Sequence, residues 1–98
     1  MKQAVYNGIV ITPNEKFCGG VIWQEGVVAR VFEGELNEKC DVSTDAGGKF
    51  ISPGFIDIHT HGAAGYDFLD GTIEAYSMAA RMHMRHGTTA LMPTITTA

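Results

Sequence analysis

The pair His59 and His61, separated by one residue, is the part of the sequence most able to do chemistry. Because side chains alternate along a strand, both imidazoles would point to one face and Thr60 to the other. Two imidazole nitrogens on one face can bind one cation at about 2.1 Å each, the usual zinc–nitrogen distance. The spacing alone is weak evidence, since histidine pairs also occur at surfaces and in cores. The surroundings of the pair therefore have to support the interpretation as a metal site.

The segment around the pair predicts a strand that ends at the histidines. Residues 50–51 and residues 55, 56 and 58 are apolar and indicate a buried strand, and the glycines within residues 62–65 indicate a loop directly afterwards. The carboxyl end of a strand, before such a loop, is where βα barrels carry their active sites. This position strengthens the metal-site hypothesis.

A helix and a second strand are predicted to follow. Residues 72–86 have helical periodicity, with Thr72 as the N-cap and Gly87 after the last turn. Residues 90–92 are apolar and predict a strand that Pro93 stops. A strand, a helix and a strand at this spacing predict a β-α-β unit with parallel strands. The helix face expected to pack inward contains Ile73, Tyr76, Ala79, Ala80 and His83.

The first half of the chain has the composition of short strands and turns. Asn7-Gly8 predicts a hairpin turn between two apolar runs, and residues 12–14 predict a break. Residues 20–32 predict two further strands joined at residues 24–26, which makes a β-meander with Trp23 in its core. Residues 33–48 are polar and predict a loop or a weak edge strand.

Five other polar residues have patterns that predict structural roles. Asp57 shares the face of the histidine pair, where a hydrogen bond is expected rather than direct ligation. His83 and His86 are expected to pack or to face the carboxyl end of the helix. Asp67 and Asp70 are expected to be loop and cap residues rather than a catalytic pair.

The residues around the pair carry a family resemblance. Residues 52–62, Ser-Pro-Gly-Phe-Ile-Asp-Ile-His-Thr-His-Gly, resemble the first-strand signature of the amidohydrolase superfamily. Residues 65–72 and 86–94 resemble the N-acetylglucosamine-6-phosphate deacetylase family within it. The resemblance implies an α/β fold, the N-terminal part of a (β/α)8 TIM barrel preceded by strands of a small accessory β-sandwich. Residues 1–50 would belong to the sandwich and residues 51–98 to the first, truncated β-α-β unit of the barrel.

The resemblance also implies an activity and a cofactor. The expected reaction is the metal-dependent hydrolysis of the acetamide of N-acetylglucosamine 6-phosphate to glucosamine 6-phosphate and acetate. His59 and His61 would bind a divalent metal, expected to be zinc, with one or two ions in the full-length enzyme. The catalytic base and the other ligands are expected beyond Ala98, so the 98-residue chain alone is expected to be inactive. Another amidohydrolase, dihydroorotase-like or adenine-deaminase-like, and a non-catalytic barrel homologue remain alternatives.

Composition limits the partners. The net charge is −4 and the seven Lys and Arg are scattered, which argues against nucleic acid. No apolar run approaches the roughly 18 residues of a membrane span, and no secretory signal is recognised. Two cysteines without a CxxC pair indicate reduced thiols. We therefore expect a cytoplasmic homo-oligomer that binds a small amino-sugar phosphate, without a membrane partner.

Overall fold

A computed structural model describes residues 1–96, which form two compact units. The first unit is Met1–Pro53 and the second starts at Gly54. Among the described residues, no helix is both long and apolar enough to cross a membrane.

The first unit is a mixed sheet built around its first strand. β1 (Lys2–Ile11) pairs antiparallel with β2 (Lys16–Gln24), which pairs antiparallel with β3 (Val27–Glu33). On its other edge β1 pairs in parallel with β4 (Val42–Asp45) and then with β5 (Phe50–Ile51). The two strands predicted within residues 20–32 are confirmed as β2 and β3, and the weak edge strand expected within residues 33–48 is β4.

The hairpin predicted at Asn7-Gly8 is wrong, because β1 runs through both residues. Asn7 has a positive φ of 56°, and the register of β1 against β2 shifts between Val5 and Gly8. The dipeptide therefore forms a β-bulge, which inserts a residue without reversing the chain. The Asn7 amide donates to Asp45 Oδ1 at 2.8 Å. The same residue types favour a bulge or a turn. Here the contacts with residues distant in sequence, such as Asp45, favour the bulge.

One face of this sheet holds the core of the first unit. Ala4, Ile22 and Phe32 are buried there, and Leu36 and Cys40 of the segment before β4 pack against them. The opposite face carries an apolar groove, and Trp23, predicted to lie in the core, lines it and is only half-buried. The groove is also lined by Val5, Val10, Val21, Val31 and Ile51.

The second unit contains the predicted β-α-β arrangement. β6 (Phe55–Thr60) pairs in parallel with β9 (Thr88–Pro93), and the helix α1 (Ile73–Arg85) lies between them in sequence. The loop predicted after the histidines is instead a small hairpin of β7 (Gly62–Ala63) and β8 (Tyr66–Asp67). Its turn residues have positive φ angles. Glycine and small residues are typical both of such a tight turn and of an open loop, so the sequence does not distinguish the two.

The helix has the ends that the sequence predicted. Thr72 is the N-cap, and its hydroxyl accepts a hydrogen bond from the Ala75 N–H at 3.0 Å. The helix ends at Arg85, two residues before Gly87, whose φ is 97°. Ile73 was expected to face inward but is 87% exposed, because it lies in the first turn while Ala75 and Ala79 take the buried positions.

The strand character of residues 55–58 is confirmed, but their predicted burial is not. Phe55 is 63% exposed, Ile56 is 72% exposed and Ile58 is 73% exposed. Within the described part of the chain, β6 has β9 as its one strand partner, so too little structure surrounds it to cover these side chains. The remainder of the barrel and the sandwich stay predictions.

Candidate metal site

The two histidines lie at the carboxyl end of β6 with their rings adjacent. His59 is in the strand, and His61 stands between β6 and β7. The ring centroids are 5.1 Å apart and the ring planes meet at 83°. The alternation of the strand has therefore brought both imidazoles to one side, as the sequence predicted. His59 is exposed and His61 is half-buried.

Hydrogen bonds fix the backbone on which the rings stand. The His59 N–H donates to Asp57 Oδ1 at 3.1 Å. The His61 carbonyl accepts a hydrogen bond from the Phe68 N–H at 2.8 Å. Asp57 thus has the hydrogen-bonding role expected of it. The carboxylate acts on the direction of the peptide that carries His59.

Thr60, which lies between the two histidines, is buried and hydrogen-bonded to other segments. It is 9% exposed, and its backbone exchanges hydrogen bonds with Thr94. Its Oγ1 lies 3.3 Å from the Gly62 carbonyl and 3.0 Å from His83 Nε2. His83 Nε2 also lies 3.2 Å from the Gly62 carbonyl. A proton on Nε2 satisfies all three contacts, because the carbonyl can only accept.

The network of Thr60, Gly62 and His83 was missed by sequence reasoning, although a signal for it exists. A hydroxyl on the buried side of a strand has to find a hydrogen-bond partner. His83 was already placed on the inward face of the helix, and it is half-buried. The two observations together make His83 a candidate partner of Thr60, without fixing which side chain of that helix face meets it.

The remaining predicted polar residues have structural roles. Asp67 caps a 3-10 helix at residues 68–70: it accepts from the Leu69 N–H at 2.8 Å, and its own N–H donates to Asp70. His86 Nδ1 lies 2.9 Å from the carbonyl of Met82 in its own helix. These contacts confirm the cap roles of the aspartates and the carboxyl-end position of His86.

The donor set fits part of a metal shell. Two imidazoles on one side of a strand end are suitable zinc ligands, and zinc takes four ligands in most protein sites. Within residues 1–96, no group of three or more His, Cys, Asp or Glu side chains is close enough together to hold an ion. The chain's own side chains could therefore provide two of the ligands.

The chain is similar to several known proteins, although no family model matches it. N-acetylglucosamine-6-phosphate deacetylase of Homo sapiens is 38% identical over 67 residues, which cover 65% of this chain and 16% of that protein. The deacetylase of Lysinibacillus sphaericus is 31% identical over 77 residues, covering 78% of this chain and 20% of that protein. An uncharacterized protein of Mycobacterium tuberculosis is 41% identical over 73 residues, covering 70% of this chain and 10% of that protein.

A solved structure extends the agreement to the whole chain. A mutant N-acetyl-D-glucosamine-6-phosphate deacetylase from Mycobacterium smegmatis, in complex with N-acetyl-D-glucosamine-6-phosphate, matches with a TM-score of 0.83 and 26% identity. The match covers 100% of this chain and 25% of that one. This chain is similar to the N-terminal part of N-acetylglucosamine-6-phosphate deacetylase, of the amidohydrolase family. It spans 16% to 20% of the length of the curated deacetylases named here. The family resemblance predicted from the motifs is confirmed.

Proposed function

We propose that the chain contributes two metal ligands, His59 and His61, to a deacetylase acting on N-acetylglucosamine 6-phosphate. The products would be glucosamine 6-phosphate and acetate. The observation that carries the proposal is the adjacency of the two rings, 5.1 Å apart, at the carboxyl end of a strand in a parallel pair. The similarity to named deacetylases supports the choice of substrate.

The chemistry of the proposed site divides between the ion and the chain. A bound divalent ion, expected to be zinc, would polarise the acetamide carbonyl and lower the pKa of a water molecule. This chain would present two neutral imidazole nitrogens to the ion and keep them on one side of the strand end. Asp57 and the Phe68 N–H hold the peptides on which the histidines stand. We assign the other ligands, the proton-transferring carboxylate and the phosphate-binding groups to residues outside this sequence.

The alternatives differ in substrate rather than in this pair of ligands. A dihydroorotase-like or adenine-deaminase-like hydrolase would use the same two histidines, so the ring geometry does not separate them. The matches to proteins named as deacetylases favour the amino sugar. The ion count, homo-oligomeric state and cytoplasmic location stay predictions.

The test is an activity assay with three substrates. The natural gene product that contains this sequence is loaded with zinc and offered N-acetylglucosamine 6-phosphate, dihydroorotate and adenine. We expect acetate release from the first and no turnover of the others. His59→Ala and His61→Ala should each lower kcat/KM by about 100-fold or more, because the ion would lose a ligand.

His86→Ala is the matched control, since that side chain is exposed and its ring hydrogen-bonds the carbonyl of Met82 in the last turn of α1. Its kcat/KM should stay within about twofold of the unchanged protein. Acetate release that survives loss of both His59 and His61 would overturn the proposed role of the pair. Turnover of adenine or dihydroorotate instead would overturn the substrate.

A further inference from the structure

We propose that His83 is a positioning residue that holds the two histidine rings adjacent by bracing the residues on both sides of His61. The consequence for metal affinity rests on the proposed function, whereas the bracing rests on geometry alone. His83 belongs to α1, and it would act through Thr60 and Gly62 rather than touch the metal or the substrate.

A single ring nitrogen reaches both neighbours of His61. His83 Nε2 is 3.0 Å from Thr60 Oγ1 and 3.2 Å from the Gly62 carbonyl. Thr60 precedes His61 and Gly62 follows it, so a shift of either residue changes the direction of the His61 side chain. Fixing both of them restricts where the His61 ring can point relative to the His59 ring.

The other hydrogen bonds of the segment do not replace those of His83. Thr94 holds the backbone of Thr60, which lies before His61. The Gly62 carbonyl, which lies after it, accepts hydrogen bonds from Thr60 Oγ1 and His83 Nε2. Gly62 is itself sterically confined, because a Cβ there would collide with the carbonyl of Tyr66. His83 therefore connects a tightly packed turn to the helix, and loss of its N–H would release that connection.

Two substitutions separate the hydrogen bond from the volume of the ring. His83→Leu fills the space without a donor. His83→Gln places an amide N–H near the position of Nε2 and should restore the brace. His86→Leu is the matched control, because it removes the histidine that follows the last residue of α1 and whose ring hydrogen-bonds the Met82 carbonyl.

The first measurement is made on the 98-residue chain without metal. Nitrogen-15 spectra should show a proton on His83 Nε2, and ring protons of His59 and His61 should give a nuclear Overhauser effect, as their 5.1 Å centroid separation requires. The effect should disappear or weaken strongly in His83→Leu and persist in His83→Gln and His86→Leu. An effect that persists unchanged in His83→Leu would overturn the proposal.

The second measurement is zinc affinity by calorimetry. His83→Leu should bind zinc about tenfold more weakly, as is typical when a residue that supports a metal ligand is lost. The zinc affinity of His83→Gln should recover to within about threefold of that of the unchanged protein. Equal weakening by leucine and glutamine would contradict a hydrogen-bonding role. If zinc binding proves independent of His59 and His61, the proposed function fails, and the ring-to-ring measurement still decides the role of His83.

A variant on the other side of the brace covers the case in which His83→Leu unfolds the helix. Thr60→Val has the same shape without the hydroxyl, and it leaves every residue of α1 in place. It should weaken the ring-to-ring effect while circular dichroism shows the helix retained. An unchanged ring-to-ring effect in this variant would count against the brace.

Discussion

In the first unit β1 has strand partners on both edges, whereas in the described part of the second unit β6 and β9 pair only with each other. The difference extends to the side chains. Ile22 of the first unit is fully buried, while Ile56 of the second is 72% exposed. The first unit thus closes a core of its own, and the second presents its apolar strand residues to the outside.

The comparison separates stability from chemistry. The residues that could do chemistry, His59 and His61, stand on the strand pair with the smaller share of buried apolar residues. Short hydrogen-bonded contacts hold them in place instead of a large core, through Asp57, Phe68 and His83. Strands that follow in a complete barrel would cover β6 and β9, which is what the family resemblance implies.

The largest expected effect contrasts the two isoleucines. Ile22→Ala should lower the free energy of unfolding by about 3 kcal/mol, because it leaves a cavity in the core. Ile56→Ala should change it by less than about 1 kcal/mol, because little burial is lost. Urea unfolding followed by circular dichroism measures both, and the fluorescence of Trp23, the single tryptophan, reports the first unit. Equal effects of the two substitutions would break the comparison.

The next effect concerns association. The edge of β6 opposite β9 and the exposed side chains of β6 should make the chain self-associate, since an unpaired strand edge can bind another chain. Ile56→Lys should shift the molar mass measured by light scattering towards that of a monomer. Val42→Lys, at a 44% exposed position in the first unit, is the control and should leave the mass nearer to that of the unchanged chain. A monomer at all concentrations would contradict the idea that β6 and β9 attract a partner.

The smallest effect concerns a charge cluster of the first unit. Lys2 Nζ lies 2.7 Å from Glu38 Oε2, and Arg30 lies 3.1 Å from Oε1 of the same carboxylate. The hydrogen bond from Lys2 lowers the pKa of Glu38, against the opposing effect of burial, and the two positive charges assist it. The reciprocal hydrogen bond raises the pKa of Lys2.

The sign of the pH dependence follows from these directions. Because the pKa of Glu38 is lowered on folding, its stabilisation is present at neutral pH and is lost as the pH falls through the lowered pKa. The contribution of Lys2 is lost only when the pH rises through its raised pKa. Glu38→Gln should therefore lower the urea midpoint slightly at about pH 7 and not at about pH 2. High salt should reduce the difference at neutral pH, and a difference that persists at low pH would contradict the assignment.

Local signals in the sequence were enough for several elements. Thr72 as N-cap, Gly87 after the helix and the parallel strand order all follow from short-range residue preferences and connection length. The histidine rings were expected on one side because a strand alternates, and they are adjacent.

The errors arose where long-range contacts decided the conformation. Asn7-Gly8 has the residue types of a hairpin turn, but β1 continues because β4 and β5 pair with it before and after the bulge. The burial of residues 55–58 was inferred from their apolar character. Apolar side chains show that a strand is suited to burial, but not whether other elements cover it. The role of His83 required knowing which helix side chain meets Thr60, and spacing does not give that.

The most direct test of the account is a zinc titration of the 98-residue chain with His59→Ala, His61→Ala, the double variant and the control His86→Ala. If the two rings share one ion, each single variant should lose most of the affinity, the double variant should lose little more, and the control should match the unchanged chain. Losses that add up independently, or zinc binding that survives the double variant, would show that the adjacent imidazoles do not form a common site.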